Sequence, residues 1–195
     1  MRTKSGNRWK KSLVLLAALA VLILFFGIFG KFETVDEFYL THMEDITADT
    51  EVVRISINCK TILYNWSRLD KQLRDEKYVP ANGVILPETA YVYRKGDTAF
   101  DLLERVCRYN RIEMEYRGAT ETGYGSAYIR GINYLNERSC GELSGWMFKV
   151  NGEFPGVGCS SVVLQPGDTV EWIYTCDLGR DVGNTYNGAG ADYGK

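Results

Sequence analysis

The sequence predicts an α+β domain, a mixed sheet with one packed helix and one inserted helix, preceded by an N-terminal transmembrane helix. Three stretches carry that reading. Residues 12–30 (SLVLLAALAVLILFFGIFG) contain no charge, and about 20 apolar residues are what a helix needs to cross the bilayer core. Residues 98–110 (TAFDLLERVCRYN) set Ala99, Leu102, Leu103, Val106 and Asn110 three or four apart, the spacing of a helix that lays one apolar face on a sheet. Residues 145–174 (GWMFKVNGEFPGVGCSSVVLQPGDTVEWIY) alternate strand and turn signals.

The N-terminus comes first. Residues 1–11 carry Arg2, Lys4, Arg8, Lys10 and Lys11 and no acid. A cleavable signal needs a small-residue site at the end of a short apolar region, but Ala18-Leu19-Ala20 lies in mid-run. An uncleaved signal anchor is therefore favoured over a signal peptide. The positive-inside rule then keeps the leader in the cytoplasm and places the remainder outside the cell, on a single-pass anchor. Of the 23 basic residues, the five in the leader leave 18 against 25 acids, a balance of about −7 outside. An acidic ectodomain argues against nucleic acid and anionic lipid surfaces as partners.

Residues 31–50 read as a stalk: Val35, Phe38, Tyr39, Met43 and Ile46 recur at helical spacing among acids. No calcium-loop spacing is present, so a solvated charged face is expected there. Glu51 to Asn58 alternates Val53, Ile55 and Ile57 with polar residues, the pattern of a half-buried strand. Lys60 to Lys77 presents Leu63, Trp66, Leu69 and Leu73 as a helical stripe, closed by Pro80 and Ala81-Asn82-Gly83. Asn65-Trp66-Ser67 fits a glycosylation sequon, within that expected helix. Val84 to Val92 should be a strand broken near Pro87, and Ile112 to Tyr116 a short one.

Thr98 and Asp101 form a capping pair for the 98–110 helix. Residues 118–145 are irregular, with six glycines and Tyr124, Tyr128 and Tyr134. Trp146 to Val150 is a strand leading into Asn151-Gly152, the strongest short hairpin signal. Pro166-Gly167-Asp168 is a second turn, and in Thr169 to Tyr174 the residues Val170, Trp172 and Tyr174 share one face. Residues 184–195 have no apolar periodicity and should be a disordered tail.

The chemistry-bearing residues are few. His42 is the single histidine, and no C-x-x-C pair is present, so no metal motif is seen. One histidine in a stalk cannot serve a triad, and no serine or cysteine has a base in a recognisable pattern. Asp168 and Asp177 follow turn signals and should fix turns. The expectation is a protein that is not an enzyme. Five cysteines, Cys59, Cys107, Cys140, Cys159 and Cys176, fall in the exported part, where disulfides persist. Cys107 lies in the helical pattern and is expected to be a buried inert thiol.

As a set, GDTAFDLL (96–103), YIRGIN (128–133), SGWMFKVNG (144–152), LQPGDTVEWIY (164–174) and TCDLGRDVG (175–183) resemble the transcobalamin-like C-terminal domain family, DUF4430. The resemblance covers residues 51–183 and implies a β-grasp domain. In vitamin B12 carriers the related domain is the smaller of two lobes and helps to close over cobalamin. The larger helical lobe has no counterpart here, so the resemblance implies a ligand-facing module more directly than it implies cobalamin. It implies no cofactor. In a β-grasp sheet the first and last strands are central parallel neighbours, which would bring Cys59 and Cys176 to the same sheet end. Cys140 and Cys159 flank the 146–151 strand and its return loop. The expected bridges are Cys59–Cys176 and Cys140–Cys159.

The function expected is a membrane-anchored extracellular binding module for cobalamin, another corrinoid or another small ligand. Its candidate surface is 118–145 with 151–159, where Tyr124, Tyr128, Tyr134, Trp146 and Phe154 supply contact area. Gly123, Gly125, Gly156 and Gly158 would let a ligand approach the backbone. The competing readings place Trp146 and Trp172 in the core and Tyr128 in a strand. The alternative function is a surface protein-interaction or adhesion module, or a transporter accessory subunit, without a small ligand. A concave surface would favour the first function and a flat aromatic patch the second.

Overall fold

In the computed structural model, which describes residues 51–123 and 125–184, the first and last strands lie side by side at the centre of a four-stranded sheet. The leader, the anchor, the stalk, Tyr124 and the expected tail from 185 onward lie outside the described residues. Among the described residues, no helix is long and apolar enough to cross a membrane.

Strand β1 (Val52–Asn58) has the alternation that its sequence requires: Val53, Ile55 and Ile57 are buried, while Arg54 is exposed. It is followed by a short helix α1 (Lys60–Tyr64) and two isolated 3-10 turns, Trp66–Arg68 and Lys71–Leu73. Strand β2 (Val84–Val92) returns antiparallel to β1, with Val52 opposite Val92 and Asn58 opposite Val84. Helix α2 (Ala99–Asn110) precedes β3 (Met114–Arg117), β4 (Tyr128–Ile132) and β5 (Leu135–Asn136), which form a separate three-stranded antiparallel sheet. Strands β6 (Gly145–Val150) and β7 (Thr169–Thr175) complete the larger sheet in the order β2-β1-β7-β6. The β1–β7 pair is parallel, with Ile55 opposite Val170 and Ile57 opposite Trp172, and the other pairs are antiparallel. The chain is thus mixed α+β.

The core is built on the face that the β7 alternation marks. Val170, Trp172 and Tyr174 are 0–2% exposed. Directly opposite on β6 stand Val150, Phe148 and Trp146. Two aromatic pairs bridge these strands: Phe148 stacks on Trp172 at 5.1 Å, and Trp146 meets Tyr174 edge-on at 5.2 Å. Such cross-strand pairs are the unit of sheet stabilisation.

Helix α2 begins in a full capping box. Asp101 N–H donates to Thr98 Oγ1 at 3.2 Å, and Thr98 N–H donates to Asp101 Oδ2 at 2.8 Å. It ends at Arg111, whose φ of 56° is the left-handed stop of a helix. Ala99, Leu102, Leu103 and Val106 are fully buried, and Asn110 donates to the Tyr91 hydroxyl of β2 at 2.7 Å. Arg105, also buried, is paired with the Asp97 carboxylate just before the cap.

Several expectations are corrected. The helix expected over 60–77 is one short helix and two turns. Asn65 Nδ2 donates to Thr61 O and Asp70 N–H donates to Ser139 O, drawing the backbone out of helical register. Leu69 is extended, at φ −65° and ψ 141°, and Arg74 caps its carbonyl. The strand expected to break at Pro87 is continuous. Pro87 sits on an outer strand, where its missing donor is tolerated, and a register shift between Ile55 and Ile57 absorbs it. Part of the stretch read as irregular, 118–145, folds as β4 and β5. The two are joined at Asn133-Tyr134, which both have positive φ, 54° and 65°, as a two-residue hairpin turn requires. Asn133 Nδ2 holds that turn to the carbonyls of Lys77 and Tyr78.

Neither expected disulfide is formed: all five cysteines are free and buried. Cys159 donates to Ala127 O at 3.4 Å, whereas Cys140 donates to Asn65 O at 3.5 Å. The loop after β6 carries Cys159 away to the 126–127 strand entry, so flanking β6 in sequence does not bring these two together. Cys59 and Cys176 do share a sheet end, as the parallel pairing dictates, but Cys140 reaches the same place: its thiol donates to Asn65 O at the end of α1, one turn from the Thr61 hydroxyl that accepts from Cys176. Cys107 is buried on α2, and burial, then the nearby Glu113 carboxylate, pushes its thiol up to about 12.

Two stability predictions follow from the entry to α2. Thr98→Ala removes one half of the capping box and should cost about 1 kcal/mol in urea unfolding. Asp97→Ala removes the carboxylate paired with the buried Arg105 and should cost more, about 3 kcal/mol. Equal costs would mean that the ion pair does not hold this corner.

Candidate functional site

The site is built by the hairpin loop that leaves β6. Asn151 (φ 53°) and Gly152 (φ 84°) make the tight turn their sequence announces, closed by reciprocal bonds between Val150 and Glu153. The turn is anchored sideways: Asn151 Nδ2 donates to Asp168 Oδ1 at 2.8 Å, and Thr169 N–H donates to Asn151 Oδ1 at 3.0 Å. Asp168 also accepts from Gln165 N–H, so it fixes turns. Asp177 is paired instead with Arg180, whose hydrogen bond holds its carboxyl below the usual range.

From this turn the chain runs back as Phe154-Pro155-Gly156-Val157-Gly158, a ridge with a cleft on each side. One cleft, of about 360 Å³, lies between the ridge and β6, with Trp146, Met147, Phe148, Phe154 and Pro155 among its walls. The other, of about 440 Å³, lies toward Ser126, Ala127 and Tyr128. Gly156, Val157 and Gly158 border both. Val157, at the crest, is 56% exposed.

The ridge is fixed at its far end by close packing. A Cβ on Gly158 would fall 2.2 Å from Ser126 Oγ, so only glycine fits. Ser126 and Ser160 join hydroxyl to hydroxyl at 2.9 Å, and Ala127 N–H donates to Ser160 Oγ at 2.9 Å. At the near end the Lys149 ammonium lies 4.8 Å from the centre of the Phe154 ring, a cation–π contact at the cleft mouth.

The five side chains expected from sequence are distributed unequally. Trp146 and Phe154 border the same cleft. Trp146 is mostly core: it is 9% exposed, and its indole N–H donates to Leu135 O at 2.6 Å. Tyr128 borders the other cleft, and its hydroxyl donates to Glu137 Oε2 at 2.7 Å. Burial pulls the Glu137 carboxyl upward, but bonds from Tyr128 and Arg130 and the Arg130 charge outweigh it, leaving it below the usual range. Tyr134 borders neither cleft; it sits in the β4–β5 turn edge-on to Tyr78, with Lys77 over its ring. Tyr124 lies outside the described residues.

Phe148, Met147, Pro155 and Val157 were missed. Phe148 could have been found from its two-residue offset from Trp146, which puts both on one face of a strand. Val157 had no signal beyond its flanking glycines. Among the described residues, no group of three histidine, cysteine or carboxylate side chains is placed to hold a metal ion.

Several solved structures are similar to this chain. One is haptocorrin in complex with Cbi, at 15% identity and a TM-score of 0.44, covering 68% of this chain. The chain spans 26% of haptocorrin's length. Another is a Ruminococcus gnavus ATCC 29149 protein proposed to bind metal, at 11% identity and a TM-score of 0.37, covering 64% of this chain and 96% of that one. No curated protein matches the sequence. The family resemblance is upheld directly: residues 96–175, from the turn before α2 to the end of β7, match the family model described as Domain of unknown function (DUF4430).

Proposed function

We propose that the domain is a β-grasp-like, non-catalytic binding module, held outside the cell by the 12–30 anchor, that takes part of a small-molecule ligand across the Phe154–Gly158 ridge. The observation that carries this reading is the ridge itself. Two clefts of 360 and 440 Å³ share one exposed apolar crest, and each lies within the usual range of small-ligand sites, about 300–1,000 Å³. Aromatic walls and glycine-exposed backbone suit a flat ligand edge, with Lys149 available to a polar substituent. Cobalamin and other corrinoids are the ligand class that the family resemblance puts first.

A second reading is favoured by one other surface. Leu63, Tyr64 and Trp66, at the end of α1, are 36%, 90% and 39% exposed. Clustered exposed apolar side chains suit a protein partner, as in an adhesion module or a transporter accessory subunit.

Calorimetric titration of the full-length chain in detergent with cobalamin and cobinamide distinguishes the two. Micromolar or tighter binding is expected, and Phe154→Ala should weaken it about tenfold, or about 1.4 kcal/mol, at unchanged melting temperature. Gly158→Ala should lower both affinity and melting temperature, because the ridge must shift away from Ser126. No heat with either corrinoid would remove that ligand class, and cross-linking on intact cells would then test the α1 surface.

A further inference from the structure

The end of the sheet remote from the ridge holds a cluster of thiols that the binding reading does not use. Cys59 closes β1, Cys176 follows β7, and Cys140 enters from the turn after β5; all are 0–1% exposed. Cys140 and Cys176 both reach the same short helix. Cys140 Sγ donates to Asn65 O at 3.5 Å and Cys176 Sγ to Thr61 Oγ1 at 3.6 Å. Thr61 and Asn65 are one helical turn apart and joined by the 2.9 Å bond from Asn65 Nδ2 to Thr61 O. The backbone on each side is fixed as well. Cys140 N–H donates to Ser144 Oγ at 3.0 Å, Ser144 Oγ meets the Tyr174 hydroxyl at 3.0 Å, and Cys176 N–H donates to Asp181 at 2.7 Å.

We infer that Cys140 and Cys176 are joined as a disulfide in the exported protein, leaving Cys59, Cys107 and Cys159 as thiols. Both sulfurs converge on the same turn at the end of α1, at Asn65 O and Thr61 Oγ1, which sets the two side chains in one buried cluster. Cys59 is the rival partner. It is an electrostatic neighbour of Cys176, but burial, then the Cys176 charge, pushes its thiol up to about 12, whereas the bond from Cys140 holds the Cys176 thiol below its ordinary value. The thiolate is the form that attacks a disulfide; the balance is the same whichever of the two attacks first.

The oxidant required is itself a disulfide, that of an extracytoplasmic thiol oxidoreductase or of oxidised glutathione. Cys176 thiolate attacks one sulfur of that disulfide, forming a mixed disulfide and releasing one thiolate. Cys140, having lost its proton, then attacks the Cys176 sulfur and releases the second. Two thiol protons and two electrons pass from the protein, and the oxidant leaves as a dithiol or, for oxidised glutathione, as two separate thiols. Because both sulfurs are buried in the finished fold, the exchange belongs to folding rather than to the folded surface. The bridge would close the segment from Cys140 to Cys176, which contains β6, the ridge and β7.

The test is oxidative refolding of the full chain in a reduced and oxidised glutathione buffer, followed by alkylation in denaturant and peptide mapping without reduction. The expected result is a Cys140–Cys176 linked peptide, with Cys59, Cys107 and Cys159 alkylated. Five alkylated cysteines, or a Cys59–Cys176 link, would overturn the inference. Reduction of the bridged protein should lower its melting temperature by roughly 10 °C or more.

Discussion

The parallel pairing of β1 with β7 is the constraint on which everything else hangs. Parallel neighbours cannot be joined by a tight turn, so every other described element up to the end of β6 is crossover between them. The pair is held through buried side chains in register, Ile55 beside Val170 and Ile57 beside Trp172. Its starting end is pinned by backbone bonds across the turns: Gly167 N–H donates to Val52 O at 2.7 Å, and Arg54 N–H to Asp168 O at 2.8 Å. Asp168 and Asn151 then transmit that register to the β6 hairpin. One sheet end therefore positions the ridge, and the other gathers three cysteines.

What could be read in the sequence was what local chemistry decides. The α2 helix carries both its cap and its apolar stripe within thirteen residues, and Asn151-Gly152 and Pro166-Gly167 state their turns outright. Residues 60–77 have a comparable stripe but not the helix, because Asp70 N–H is claimed by Ser139, far along the chain. The Asn133-Tyr134 hairpin was hidden for the same reason. Tyrosine is a poor turn residue with positive φ, and what holds it there is remote: the Lys77 and Tyr78 carbonyls on Asn133, and the Glu113 carboxylate on Tyr134 N–H. Helical periodicity and turn propensity are weak signals against a well-placed tertiary hydrogen bond.

The cysteines show a finer limit. Strand order alone predicts that Cys59 and Cys176 share a sheet end, and they do. It does not predict that the turn after β5 delivers a third thiol to the same place, because that turn is shaped by Arg138, with φ 67°, and by Ser144, which accepts from Cys140 N–H while donating to Gly141 O. Topology narrows the set of possible partners; side-chain hydrogen bonds choose among them.

The candidate site stands at the boundary between core and surface, which determines how its residues should be interpreted. Trp146 and Phe148 reach the cleft only as the outer members of the aromatic ladder that holds β6 against Tyr174 and Trp172. Removing either would unpack the sheet first and reshape the cleft second. Phe154 and Val157 lie beyond the hairpin turn, on a loop fastened at Asn151 and at Gly158 but free of the ladder. A loop fixed at both ends holds its crest in place without building that crest into the core, so contact area there can change at little cost to the fold. The separation explains why the sequence marked Trp146 and passed over Val157. Aromatic residues in strands announce themselves by composition, whereas a valine between two glycines becomes conspicuous only when the fold lifts it between two clefts.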